Sequence, residues 1–266
     1  MKTQAKRFRA AGLSLLLLAG LAAIGGSRTP GELSSRPAAQ RQKLVVIDPG
    51  HGGIETGAKG KFGGVEKNIT LAVALKLKAL IEKNMAFEVV MTRDKDIDVP
   101  VESRAAIANN RKADVFISIH INGSRQKSAN GSETFFLSLN ASDEETRRLA
   151  YLENNSSQIE SHADKTSEDD IKMILWDMAQ TAYIRQSSQL AEMIQAELNT
   201  LLGTRNRGIK QAPFKVLAGV ACPAVLIEAA FISNPDEEKR LATESFQASI
   251  AEAIFQGLAK YLRVYP

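Results

Sequence analysis

The chain has 266 residues, of which 44% are hydrophobic and 24% charged. That balance suits one globular domain with a substantial core and excludes a fibrous or disordered chain. The formal charge of +4 equals the contribution of Lys2, Lys6, Arg7 and Arg9 alone, so the rest is near neutral and no nucleic-acid partner is expected. Those four bases precede the apolar run "AAGLSLLLLAGLAAIG", and together residues 1–26 read as a secretory signal peptide. The expected location is periplasmic or secreted, with no membrane span left after cleavage. Residues 27–42, "SRTPGELSSRPAAQRQ", have the composition of an exposed linker.

From Lys43 short apolar runs alternate with helical patterns: "KLVVID", "NITLAVALKLKALIEKN", "FEVVMT", "VESRAAIANNR" and "DVFISIHI". This order predicts an α/β single domain over 43–264, with a mainly parallel twisted sheet flanked by helices on both faces. The strand-like "GSETFFLSL" follows, and then a polar stretch from Asn140 to Asp170 that reads as a surface insertion, part helix and part loop. Ile171, Leu175, Met178, Ala182, Leu190, Ile194, Leu198 and Leu201 recur at the spacing of one long amphipathic helix. Strands are expected around "FKVL" and "AVLIE", then a turn at "SNPDEE" and a last helix from about Glu244 to Leu262. The single cysteine, Cys222, permits no internal disulfide and reads as a buried small hydrophobe.

Open α/β sheets collect ligands outside the carboxyl ends of their strands. His51 follows the first strand there, His120 ends "DVFISIH" and Glu228 ends "AVLIE", while Glu66 stands just before the first helix. Two imidazoles and a carboxylate make a catalytic zinc set with a fourth position open to water. Taken singly, Glu66 also reads as an acid complementing a helix N-terminus. Glu228, set between "AVLI" and "AAFI", is expected to be buried and to need a partner, because an unpaired buried charge is costly. The "HExxH" zinc motif is absent. His162, in the polar insertion, reads as solvated.

The motifs "VVIDPGHGG", "GAKG", "EKNITL", "MTRDKD", "SRAAIAN", "ADVFISIHIN" and "PAVLIEAAFISN", in this order from Lys43 to Tyr261, resemble the zinc-dependent N-acetylmuramoyl-L-alanine amidases that split bacterial septal peptidoglycan. The resemblance implies the amidase_3-type fold, one Zn²⁺ per chain, and hydrolysis of the amide between N-acetylmuramic acid and the L-alanine of the stem peptide. It makes His51, Glu66 and His120 the zinc ligands and Glu228 the catalytic carboxylate. Asp48 is expected either to orient His51 as an acceptor or to cap the glycine turn. Arg104 is structural or touches substrate, and Asn122 lines the site beside His120.

Division amidases of this kind carry an insertion at the place where this chain has one, and "LAYLENNSSQIE" is similar to their blocking segment. The resemblance therefore implies an autoinhibitory lid over residues 142–165, with Glu153 as the blocking carboxylate and Glu160 as the second candidate. A protein activator that displaces the lid is the implied partner besides peptidoglycan, and the chain is expected to be a monomer. Two other readings remain: a zinc peptidase cutting elsewhere in the stem peptide, and a non-catalytic wall-binding homologue.

Overall fold

The computed structural model describes residues 41–155 and the backbone of 167–265, with side chains resuming at residue 183. The expected signal peptide, most of the linker, Glu160 and His162 lie outside the described residues. In chain order the elements are β1 (Leu44–Pro49), α1 (Glu66–Asn84), β2 (Glu88–Met91), α2 (Val101–Asn110), β3 (Val115–Asn122), β4 (Ser132–Leu137), α3 (Glu144–Asn154), α4 (Ser167–Leu202), β5 (Asn206–Ala212), β6 (Ala224–Phe231), α5 (Pro235–Leu241) and α6 (Glu244–Val264). Among the described residues, no helix is long and apolar enough to cross a membrane.

Six strands form one sheet in the order β2-β1-β3-β6-β4-β5. β1, β2, β3 and β6 are parallel, β4 runs antiparallel to β6, and β5 is parallel to β4. The sheet is therefore mixed. Helical crossovers α1 and α2 account for the parallel half, because a parallel neighbour needs a long return path. The reversal at β4 brings the amino ends of β4 and β5 to the same rim as the carboxyl ends of β1, β3 and β6.

Side chains on a strand alternate between faces, and here the alternation divides the interior. Val45, Ile47, Ile117, Ile119, Val225 and Ile227 join the larger core with Val73 and Leu77 of α1, Ile194 of α4 and Ile254 of α6. Leu44, Val46, Phe116, Ala224 and Leu226 point the other way, into a smaller core with Ala105 of α2, Leu149 and Ala150 of α3, and Phe214. Each fully buried side chain of this size contributes roughly 1.5–3 kcal/mol. α3, the described helix of the expected insertion, is thus a packed element, since Leu149 and Ala150 are buried in that smaller core.

Two expectations are corrected. "FKVL" is no strand: Phe214 to Gly219 form turns whose apolar side chains close the smaller core. The strand lies one step earlier, at Asn206–Ala212, where partly exposed polar residues give no apolar alternation to read. "SNPDEE" is a helix start rather than a plain turn, because the Asn234 side chain caps α5 by accepting from the amides of Asp236 and Glu237, with Pro235 in its first turn.

Candidate active site

On the face of the smaller core the strands change character toward their carboxyl ends. Leu44 and Val46 give way to Asp48, Phe116 to Ser118 and His120, and Ala224 and Leu226 to Glu228. The register sets Asp48 beside Ser118 and His120 beside Glu228. All four polar residues are buried. A row of ionisable groups therefore continues the plane of an apolar core, at the rim where α/β sheets bind ligands.

The turn after β1 is held from two sides. His51 itself adopts φ 59°, a left-handed conformation that costs a non-glycine residue about 1–2 kcal/mol. Two buried guanidinium groups fix it. Arg104 donates from Nη1 to Asp48 Oδ1 (2.8 Å) and Pro49 O (2.9 Å), and from Nη2 to His51 O (2.9 Å). Arg93 donates to Pro49 O (3.0 Å) and Gly50 O (2.8 Å). Gly50 has to be glycine, since a Cβ there would stand 2.5 Å from the His120 ring.

Asp48 accepts from Thr92 Oγ1 (2.6 Å), Ser118 Oγ (2.7 Å) and Arg104. Its bonds go to these groups rather than to the His51 ring, so it acts on His51 through Arg104 and does not orient the imidazole directly. Burial would raise its pKa, yet Arg104 and the two hydroxyls outweigh burial and hold it below the ordinary value. Arg104 is accordingly a positioning residue of the turn.

Glu66 opens α1 at the centre of the cluster. Its Oε1 lies 3.1 Å from His51 Nε2 and 3.1 Å from His120 Nδ1, and it accepts from the Ile121 amide at 3.0 Å while Oε2 accepts from the Ala58 amide at 2.7 Å. Gly57 makes room, because a Cβ there would stand 2.4 Å from Glu66 Oε2. Glu153 of α3 completes the group, with Oε2 3.5 Å from His51 Nε2 and 3.3 Å from His120 Nδ1. The donor atoms of His51, His120 and Glu153 all lie within 4.8 Å of one another.

This donor set fits a metal ion. Ligand bonds of about 2.0–2.1 Å in a tetrahedron place neighbouring donors about 3.3–3.4 Å apart, and the distances from the two carboxylates to the two rings fall at 3.1–3.5 Å. His51 Nε2 is buried and lacks a well-formed hydrogen bond, the state of a nitrogen that awaits a ligand. The cluster also attracts positive charge. Burial would lower the His51 pKa, but Glu66 and Glu153 outweigh it and raise it to about 9. For Glu66 burial works upward, and the two imidazoles bring its pKa well below the usual carboxylate range.

Glu228 lies on the neighbouring strand, fully buried, and neither of its oxygens has a hydrogen-bond partner among the described residues. Burial, followed by Glu66, Glu153 and Glu133, raises its pKa well above the ordinary value. The expected partner is thus absent within the described protein, which is the condition of a group kept for a reactant. Asn122 donates to Glu133 Oε1 at 3.0 Å and lines a cavity of about 370 Å³ between the loop after β3 and α3. Between His51, His120 and Glu153 only about 30 Å³ is left, room for water and not for a substrate.

Sequence reasoning assigned no role to Arg93, Thr92 or Gly57, although "MTRDKD" and "GAKG" contain them. It also passed over Glu133, whose buried carboxylate meets Arg207 and Lys210. Those three residues come together only through the reversed β4–β5 pair.

A mixed α/β sheet whose rim combines two imidazoles, a bridging carboxylate and a buried carboxylate that has no hydrogen-bond partner among the described residues defines a hydrolase site with a donor set that fits a metal ion. The chain belongs to the Amidase_3 family, N-acetylmuramoyl-L-alanine amidase, whose profile matches residues 45–260. It is 35% identical over 231 residues to the N-acetylmuramoyl-L-alanine amidase AmiA of Escherichia coli K12, covering 85% of this chain and 80% of that protein. To AmiC of Escherichia coli O6:H1 it is 34% identical over 221 residues, 83% of this chain and 53% of that protein, so it spans about half the length of AmiC. Among solved structures, the CwlD amidase of Clostridioides difficile in complex with the GerS lipoprotein superposes with a TM-score of 0.63 and 30% identity, over 84% of this chain and 100% of that one.

Proposed function

We propose that this chain is an exported zinc hydrolase that cleaves the amide between N-acetylmuramic acid and L-alanine in peptidoglycan, in cell-wall remodelling or septum splitting. The observation that carries the reading is the position of Glu66 Oε1, 3.1 Å from both imidazoles, one strand from Glu228, whose carboxylate has no hydrogen-bond partner among the described residues. His51, Glu66 and His120 hold the metal. Bound there, Zn²⁺ supplies a Lewis acid for the amide carbonyl and brings a water's pKa toward about 7.

Glu228 takes the proton that the attacking water gives up as its oxygen joins the lactyl carbonyl carbon. As the C–N bond breaks, Glu228 returns the proton to the departing nitrogen of L-alanine. The products are a free lactyl carboxyl group on the sugar and a free amine on the peptide. Its apolar setting suits both roles, since a carboxyl that binds a proton readily also holds it until the leaving group needs it.

Export rests on the pattern of residues 1–26. Autoinhibition rests on Glu153, whose carboxylate stands at both imidazoles and fills the position that a substrate carbonyl or water needs. The clasp at the end of α3 supports it: Asn154 Nδ2 donates to Pro213 O (2.8 Å) and Asn154 Oδ1 accepts from the Lys215 amide (2.7 Å). A partner activates such a chain only by preferring the state in which α3 has lifted. The amidase CwlD, structurally similar to this chain, was solved in complex with a lipoprotein.

The test is digestion of purified peptidoglycan by the zinc-loaded chain, followed by mass analysis. Peptide-free glycan with stem peptides starting at a free L-alanine, abolished by a chelator, is the expected outcome. Cleavage at another amide would identify a peptidase, and wall binding without any release, even after Glu153→Ala takes away the blocking carboxylate, would identify a wall-binding homologue.

A further inference from the structure

Beside the catalytic carboxylate, β4 and β5 carry a charge arrangement for which amide hydrolysis has no use. Glu133 stands opposite Glu228 in the register and is 2% exposed. Its Oε2 meets Arg207 Nε at 3.2 Å and Lys210 Nζ at 3.0 Å. One buried carboxylate thus faces two cations. The balance comes from α3 and its cap: Arg207 Nη2 reaches Glu145 Oε2 at 2.8 Å and Lys210 Nζ reaches Asp143 Oδ2 at 3.2 Å.

The two sides of these pairs differ in kind. The Arg207 and Lys210 side chains are 11% and 14% exposed, whereas those of Glu145 and Asp143 are 58% and 44% exposed. The cations belong to the sheet and their outer partners to the lid. Burial would lower the pKa of Lys210, but Glu133 and Asp143 outweigh it and raise it above the ordinary value, so it stays charged at neutral pH. When α3 lifts, Glu133 remains and the site keeps one positive charge in excess, next to Glu228.

We propose that Arg207 and Lys210 form a subsite for a carboxylate of the peptidoglycan stem peptide, and that Asp143 and Glu145 occupy it in the closed chain as internal stand-ins for the substrate's acid. This inference rests on the amidase reading above. The peptide beyond L-alanine has to leave the scissile bond along the rim, and its second residue carries a carboxyl that is either free or amidated. Glu133, the partner of both cations, walls the cavity of about 370 Å³ beside α3, which gives that peptide a path. A guanidinium with an ammonium beside it recognises a carboxylate and not its neutral amide.

The experiment measures binding of two muramyl dipeptides, identical except for a free or amidated carboxyl on the second residue, to the zinc-loaded full chain carrying Glu228→Gln. The free acid should bind roughly tenfold tighter than the amide. Lys210→Met should remove that preference without weakening binding of the amide, and Lys210→Arg should restore it. Glu145→Gln, which takes away one stand-in, should tighten binding of the free acid alone. Equal binding of the two peptides, or an equal loss for both in Lys210→Met, would overturn the subsite. Turnover by the chain with Glu228 intact is read separately, so failure of the amidase reading and failure of the subsite give different results.

Discussion

Arg104 Nη2 donates to the backbone carbonyl of His51 at 2.9 Å, and the same guanidinium holds the buried Asp48 carboxylate at 2.8 Å. One side chain therefore ties a left-handed residue, φ 59°, to a fixed anion beneath it. Lysine offers a single point charge and cannot span the three acceptors. Arg104→Lys should fold but weaken zinc affinity about 10–100-fold, as loss of a positioning partner does. Competition with a chromogenic chelator measures this, and an unchanged affinity would show that the turn needs no clamp.

Glu228→Gln separates chemistry from metal binding. The amide keeps the shape, so zinc content should match the parent, while turnover should fall by about 10²–10⁴. Because the carboxylate is fully buried and has no hydrogen-bond partner among the described residues, the same change should also raise the melting temperature of the metal-free chain. Metal analysis, product release and calorimetry on one preparation check all three.

Asp48 makes a prediction about acid. Its folded pKa lies below the ordinary 3.8 because Arg104, Thr92 and Ser118 outweigh burial. A depressed carboxylate contributes stability above the unfolded value, and that contribution disappears as pH falls through the folded one. The parent should therefore lose stability below about pH 4. Asp48→Asn leaves the buried Arg104 without its anion, so it should cost about 3–5 kcal/mol at pH 7 and show a shallower acid limb. Denaturant titrations between pH 3 and pH 7 give both quantities, and parallel acid limbs would contradict the assignment.

What the sequence revealed and what it hid follow from separation along the chain. The parallel half was legible because "LVVID", "VFISIH" and "AVLIE" are short, nearly continuous apolar runs that end on a polar residue, so the doubly buried strand and its rim residue are written in a few consecutive letters. β5 was not legible, because Arg207, Gly208, Lys210 and Gln211 carry no apolar period. Their place depends on β4 reversing between β6 and β5. "FKVL" misled for the opposite reason: its apolar residues serve the smaller core from a turn. Glu133, Arg207 and Lys210 were hidden because nothing local pairs residues that far apart in the sequence.

Gly57 tests the approach of loop to metal ligand. It sits at φ 65°, and a Cβ would stand 2.4 Å from Glu66 Oε2 and 2.5 Å from His51 Cδ2. Gly57→Ala should displace both donors, giving a chain that folds with the same far-ultraviolet circular dichroism but retains little zinc after dialysis. Full zinc retention would mean that the loop shifts without disturbing either ligand.

Glu153 decides whether α3 is a lid or only a packed helix. Removing residues 142–165 outright is a poor test, since Leu149 and Ala150 are buried in the smaller core and their loss would open an apolar face. Glu153→Ala takes away only the carboxylate that stands 3.5 Å from His51 and 3.3 Å from His120, and leaves the proposed ligands His51, Glu66 and His120 in place. Basal peptidoglycan release should rise by about 5–150-fold, the range of an ordinary coupling between two states. Zinc content and melting temperature should stay close to those of the parent. Asn154→Ala, which frees the clasp to Pro213 and Lys215 and leaves Glu153 in place, should raise the rate by a smaller factor. A rate unchanged in both variants would make α3 a structural helix, and the small volume over the metal site would then have to open by some other movement.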